Sequence, residues 1–326
     1  THHVARYFWR YVLRPGSRRI ISCGKIMLQK YIKIIFFKVV YTNQYFYICR
    51  MSEIIILFFG AIAAGLMGSL TGLGGGVIII PLLTLGFDVP MHYAIGASLI
   101  SVIGTSSGAA VAFVKEGFTN MRIGMFLEIA TTAGAVCGAL VSGFLNPNTI
   151  GIIFASILIL TVLLNLRGKP DHQEALIKGS LADKLKLYGT FPDKDGIKHY
   201  ASKNTIPGFM MMIFAGAMSG LLGIGSGALK VLAMDNMMKL PFKVSTTTSN
   251  FMIGVTAVAG AMIYFQRGQI IPVIAAPVLI WVVVGSFIGS KTLMISKTKK
   301  LKVFFAIVIT ILSIYMMYNG IAKNFQ

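Results

Sequence analysis

Residues 65–76 read Gly65-Leu66-Met67-Gly68-Ser69-Leu70-Thr71-Gly72-Leu73-Gly74-Gly75-Gly76, and they interrupt an apolar run from 54 to 87. That run is too long for one helical crossing of a bilayer, which takes roughly 20 residues. Its middle is broken by the five residues Gly72 to Gly76. A second stretch, Ser219-Gly220-Leu221-Leu222-Gly223-Ile224-Gly225-Ser226-Gly227, breaks the run 207–234 in the same way. A gap-free shift of 151 positions superposes the two. The same register pairs Phe58 with Phe209, Gly65 with Gly216, Met67 with Met218, Pro90 with Pro241, Ser98 with Ser249, Thr105 with Thr256, Gly134 with Gly285 and Gly138 with Gly289. Glycine enrichment in membrane helices supplies some chance matches. It does not supply one register holding two motifs and a proline. The chain is therefore expected to be a duplicated unit, as many secondary transporters are.

Composition agrees with a membrane setting. Of 326 residues, 56% are hydrophobic and 12% are charged, about half the charged share of an ordinary soluble domain. Mean hydropathy is +0.77. A soluble fold cannot hide that much apolar surface. Thirty Lys and Arg against ten Asp and Glu give a net charge of +20, a balance that would suggest nucleic acid in a soluble protein. Here the basic residues stand between apolar runs, as the positive-inside rule requires. Cys23, Cys49 and Cys137 form no motif, and Cys137 reads as a small packing residue in an apolar run.

Residues 1–50 differ from the rest. They carry ten Arg and Lys and no acid, and their apolar run 26–47 is interrupted by three lysines. At Met51 the character changes to Met51-Ser52-Glu53 followed by an unbroken apolar stretch. Residues 1–50 are read as a basic extension foreign to the fold, the alternative being an amphipathic helix lying on an anionic membrane surface. Residues 51–166 form the first repeat of four apolar segments, 167–206 a polar, solvated loop, and 207–326 the second repeat. The fold class is all-α and polytopic.

Loop charge decides how the halves face. If each glycine-broken segment is a re-entrant hairpin, loops 115–122, 167–206, 235–243 and 291–302 share one side and carry +1, +3, +1 and +5. Glu53, Asp88, Arg267 and Lys323 on the other side cancel. Eight full crossings would divide the positive charge evenly. Cytoplasmic loops collect Lys and Arg, so inverted repeats are expected, with loop 167–206 cytoplasmic.

Non-helical backbone inside a bilayer must find partners in protein or water. Two glycine breaks at matching repeat positions point to a site, with the free N–H groups and positive dipole ends of the following half-helices facing an anion. The bland alternative is close helix packing through small residues. The expected substrate contacts are Gly72, Gly74, Gly75, Gly76, Gly223, Gly225, Ser226 and Gly227. Ser98, Thr105, Ser249 and Asn250 are either cavity lining or helix packing. Lys230, three residues past Gly227, contacts the anion, pairs with Asp235 or snorkels to the interface. Glu128 is a candidate for a coupling proton, or a partner of Arg122. His92 reads as an interfacial residue. No metal-ligand cluster, paired carboxylates or activated nucleophile is visible, so neither an enzyme nor a cofactor is expected.

These residues resemble the sulfite exporter TauE/SafE family, on the stretch Gly65 to Gly76 followed by Val77-Ile78-Ile79-Ile80-Pro81, and on the weaker copy Ser219 to Gly227. The resemblance covers about 54–322. It implies export or uptake of small anions, such as sulfite, sulfonates and related organosulfur or carboxylate anions, across the bacterial plasma membrane. Two departures stand out: Ser226 replaces Gly75, and Leu232 replaces Pro81 with Lys230 nearby. A passive anion channel and a non-transporting membrane partner remain alternative readings. The coupling ion, direction and oligomeric state are not written in the sequence.

Overall fold

Helices α1 (Met51–Thr71) and α2 (Gly76–Gly86) flank the first glycine break in the computed structural model, which describes residues 51–72, 74–115, 119–166, 181–193, 196–295, 298–322 and 325. There follow α3 (Met91–Lys115), α4 (Met121–Ser142), α5 (Pro147–Leu166), a single turn α6 (Leu181–Lys184), strands β1 (Tyr188–Asp193) and β2 (Gly196–Ala201), then α7 (Thr205–Leu222) and α8 (Gly227–Leu232). A π-helical turn, Ala233–Met237, extends α8, and α9 (Phe242–Gln266), α10 (Pro272–Ile295) and α11 (Thr298–Ile321) complete the fold. Both readings of residues 1–50 lie outside the described residues.

The protein is mostly helical. By length and composition, α4, α7, α9 and residues 272–290 of α10 suffice to cross a membrane, and shorter apolar stretches lie in α1, α2, α5 and α11. The outer surface is apolar: Ile129, Phe144, Phe265 and Tyr318 are each more than 65% exposed, a surface suited to hydrocarbon rather than water.

Element boundaries recur at the offset seen in the sequence. Gly76, Met91, Met121 and Pro147 open α2, α3, α4 and α5; Gly227, Phe242, Pro272 and Thr298, each 151 residues on, open α8, α9, α10 and α11. Helix contacts recur too. Gly134 lies against the Ile213 carbonyl, and Gly285 against the Ile62 carbonyl. Gly216 meets the Thr131 carbonyl, and Gly65 the Val282 carbonyl. A methyl group at any of these positions would collide with backbone. Helix pairs α4–α7 and α1–α10 thus approach to backbone contact through small residues, which is how apolar helices gain packing energy when burial from water is not available.

Each end of α4 fixes a neighbourhood. At its start, the Asn120 side chain caps the helix by accepting from the Ile123 N–H at 3.1 Å. The Asn120 N–H donates to Thr248 Oγ1 near the start of α9 (3.1 Å), and Asn120 Nδ2 donates to the Tyr200 hydroxyl (2.9 Å). The Lys203 N–H donates to the Met238 carbonyl at 2.9 Å. At the far end of α4, Arg267 donates to the carbonyls of Ala139 (2.7 Å) and Leu140 (2.9 Å). Helices α4 and α9 therefore run parallel.

The stretch read as a solvated loop is more structured than its charge suggested. Within it, β1 and β2 pair antiparallel, with Tyr188 opposite Ala201. Leu187, Phe191 and Tyr200 are buried and form one apolar cluster with Ile123, Leu127, Met234 and Met238. Alternation supplies the reason: a two-residue period turns Phe191 inward and Tyr188 and Thr190 outward.

Candidate functional site

The two breaks share a backbone path. Gly72 and Gly74 adopt φ of 71° and 80°, and Gly223 and Gly225 adopt 69° and 72°, angles that glycine tolerates without strain. Beyond them the copies diverge. Gly75 has φ −66°, whereas Ser226 has φ 44°, a left-handed conformation that costs a residue bearing a Cβ. Farther on, Asp88 (φ 50°) and Lys239 (φ 57°), again 151 apart, repeat the path at the ends of the half-helices.

The structure brings the breaks against each other. The Gly223 carbonyl lies over Gly76, and the Gly72 carbonyl over Gly227. A methyl added at Gly74 would stand 3.3 Å from the Ile224 carbonyl oxygen. Val102 packs against both Gly74 and Gly225. The seven glycines and Ser226 named from the sequence therefore form one contiguous backbone region.

Hydroxyls from the following helices hold that region in place. Ser98 on α3 donates to the Gly223 carbonyl at 2.7 Å, and Ser249 on α9 donates to the Gly227 carbonyl at 3.2 Å. Thr105 donates to the Ser101 carbonyl within its own helix, and a methyl at Gly75 would come 2.8 Å from its hydroxyl. Ser106 donates to the Asn250 carbonyl at 2.6 Å. Ser98 and Ser249 thus satisfy break carbonyls and leave donors uppermost.

Several of those donors are unused. Asn250 is 1% exposed, and its Nδ2 has no hydrogen-bond partner among the described residues; neither has the hydroxyl of Thr246 or of Ser226. Thr246 and Asn250 both line Gly72. A buried donor without a partner costs about 1–3 kcal/mol, so a cluster of them marks a place for an acceptor.

Lys230 is fully buried on the first turn of α8, which excludes snorkelling. Its Nζ donates to the Thr256 hydroxyl on α9. That hydroxyl lies 2.6 Å from Glu128 Oε1 on α4, and Thr132 donates to the same oxygen at 3.1 Å. The described partners of the Glu128 carboxylate are these two threonines rather than Arg122. His92 is half-buried at the start of α3, with Nδ1 unpartnered among the described residues. Sequence reasoning missed the Lys230–Thr256–Glu128 link. Its available signal was that Lys230 and Glu128 are opposite charges inside apolar runs, each needing compensation.

The family described as Sulfite exporter TauE/SafE matches residues 57–316. The chain is 29% identical over 281 residues to "Probable membrane transporter protein YunE" of Bacillus subtilis (strain 168), covering 83% of this chain and 99% of that one. It is 27% identical to "Probable membrane transporter protein YdhB" of the same organism, over 74% of this chain and 89% of the relative. It is 24% identical to "Probable membrane transporter protein MJ0441" of Methanocaldococcus jannaschii, over 78% and 91%. No solved structure matches.

Proposed function

From the premise that this chain belongs to the sulfite exporter TauE/SafE family of multi-pass membrane transporters, we propose that it is a secondary transporter of a small anion, of the sulfite, sulfonate or organosulfur carboxylate class, held at the paired glycine breaks. One observation carries the reading: the breaks lie against each other, their carbonyls at Gly223 and Gly227 are taken by Ser98 and Ser249, and buried donors at Asn250, Thr246 and Ser226 have no acceptor among the described residues. Such a surface attracts an anion and offers little to a cation. The first turn of α2 adds N–H groups that no intrahelical carbonyl reaches. Gly72 to Gly76 and Gly223 to Gly227 supply the close backbone approach. Thr105 borders the first break without an established bond to the substrate.

The parallel course of α4 and α9 supports inverted repeats with each broken segment re-entrant, because eight full crossings would make these helices antiparallel. Glu128 serves as the candidate coupling group, with the proton as coupling ion. Two inverted halves meeting at a fixed central site suit alternating access.

Sulfite counterflow in proteoliposomes tests the reading. Preloaded vesicles should accumulate labelled sulfite against no net gradient, and Gly74→Val should abolish this. Downhill leak without trans-stimulation would favour a passive channel. An unchanged Gly74→Val rate would remove the breaks from the pathway.

A further inference from the structure

We propose that Glu128, Thr256 and Lys230 form a proton-binding centre that sets the net charge beside the second glycine break. The coupling it implies rests on the anion-transport reading above; proton binding itself does not.

The geometry separates the two carboxylate oxygens. Thr132 donates to Glu128 Oε1, and the Thr256 hydroxyl, which accepts from Lys230 Nζ, reaches the same oxygen at 2.6 Å. Glu128 Oε2 is buried and has no partner among the described residues. A carboxylate with one oxygen bare in an apolar interior is costly. Oε2 is therefore where a proton taken from water lands, giving a neutral carboxyl and leaving the Oε1 contacts in place. With Glu128 ionised, the carboxylate and the Lys230 ammonium cancel. With Glu128 protonated, one positive charge remains. Lys230 donates its backbone N–H to the Ser226 carbonyl at 3.1 Å, so the residue stands on the turn that leaves the break, and its ammonium reaches Thr256 on α9.

The repeat supplies an internal control. At the offset of 151, Ile79 stands for Lys230 and Leu279 for Glu128, while Thr105 keeps the hydroxyl of Thr256. The fold accommodates aliphatic side chains at both charged positions, and the two charges occur together on one side only. A buried ion pair is commonly no more stabilising than apolar residues of similar volume, so stability does not account for it.

Among the described residues, the other titratable groups on the packed elements are these: His92 and Tyr93 stand at the start of α3, and Cys137 is exposed on α4. Arg122 and Lys243 are exposed at the starts of α4 and α9; Arg267 is bonded to the carbonyls at the end of α4; Tyr264 donates to the Leu221 carbonyl; Asp235 lies on the π-helical turn. Helices α5 and α7 carry no ionisable side chain. By linkage, a proton on Glu128 and an anion at the break favour each other equally. Acidification tightens anion binding, and alkalinisation loosens it. One uncompensated charge near a bound anion shifts affinity on the order of tenfold or more.

The test has two readouts on reconstituted full-length protein. Infrared difference spectra between acid and alkaline pH should contain a protonated-carboxyl C=O band that disappears in Glu128→Gln. Absence of a Glu128-dependent band overturns the proposal. Binding of methanesulfonate, whose charge does not change across the range, should strengthen about tenfold on acidification in the wild type. Glu128→Gln should lose the strengthening that acidification brings through the carboxyl, and Lys230→Met should bind more weakly than the wild type at every pH. A titrating band with pH-independent binding overturns the coupling. A titrating band in a protein that neither binds methanesulfonate nor exchanges sulfite leaves the proton centre standing and sinks the transport reading. The double variant Glu128→Gln with Lys230→Met, neutral at both positions, should fold as the wild type does; if the single variants fail to fold, it provides the pH-independent comparison for both readouts.

Discussion

Ser98 Oγ donates to the Gly223 carbonyl at 2.7 Å across 125 positions of sequence, so α3 secures the glycine break that follows α7. Removing the donor leaves a buried carbonyl without a partner, at a cost of about 1–3 kcal/mol. Ser98→Ala should lower the thermal unfolding midpoint, and Ser98→Thr, which keeps the hydroxyl, should recover part of the loss. An unaltered midpoint in Ser98→Ala would mean that the bond holds nothing.

Gly74 and Gly225 combine positive φ with close neighbours, whereas Gly268 has φ 70° and open space where a side chain would point. Gly268→Ala should therefore cost only backbone strain, about 1 kcal/mol. Gly225→Val meets the same strain together with Ile253 and Val102, and should abolish sulfite-induced thermal stabilisation. If Gly268→Ala and Gly225→Val prove equally harmful to that shift, close approach at the break is irrelevant.

What could be read from the sequence was whatever repeats along it. The shift pairing Gly72 with Gly223 also pairs the openings of four helices. The positive φ at Gly74 and Gly225 belongs to the breaks between helices, where glycine adopts it at no steric cost. Two things were hidden. The buried face of Phe191 and Tyr200 alternates over too few residues, among too many charges, to outweigh a loop composition. The Lys230–Thr256–Glu128 link joins α8, α9 and α4, and only packing decides which of many hydroxyls stands between two charges. Ser98 and Ser249 were read with equal weight as lining or packing, and the structure uses both on backbone carbonyls.

The hairpin should detach in strong alkali. Burial raises the pKa of the Tyr200 phenol above its usual value, with the hydrogen bond from Asn120 opposing this in part. The folded pKa is raised, so the stabilising contribution is complete below the ordinary phenol range near 10 and is lost as pH climbs through the higher folded value. Ultraviolet phenolate absorbance, taken as wild type minus Tyr200→Phe, should show one tyrosine ionising later than a free phenol. A difference spectrum that titrates at the free-phenol value would place Tyr200 in water.

The topology prediction draws on both ends of α4. Asn120 joins Thr248 and Tyr200 at one end, and Arg267 joins Ala139 and Leu140 at the other. The loops near the first end hold most of the loop positive charge, and by the positive-inside rule that end is cytoplasmic. Single cysteines at Lys186, Lys239 and Lys299, in a cysteine-free background, should react with an impermeant maleimide only when the cytoplasmic face is open. Cysteines at Asn146 and Gln269 should react from outside. Lys239 and Lys299 are the discriminating positions, because eight full crossings would put both opposite Lys186. Labelling of Lys186 and Lys239 from opposite faces would end the inverted-repeat reading, and with it the expectation that two half-helices approach one anion from opposite sides of the membrane.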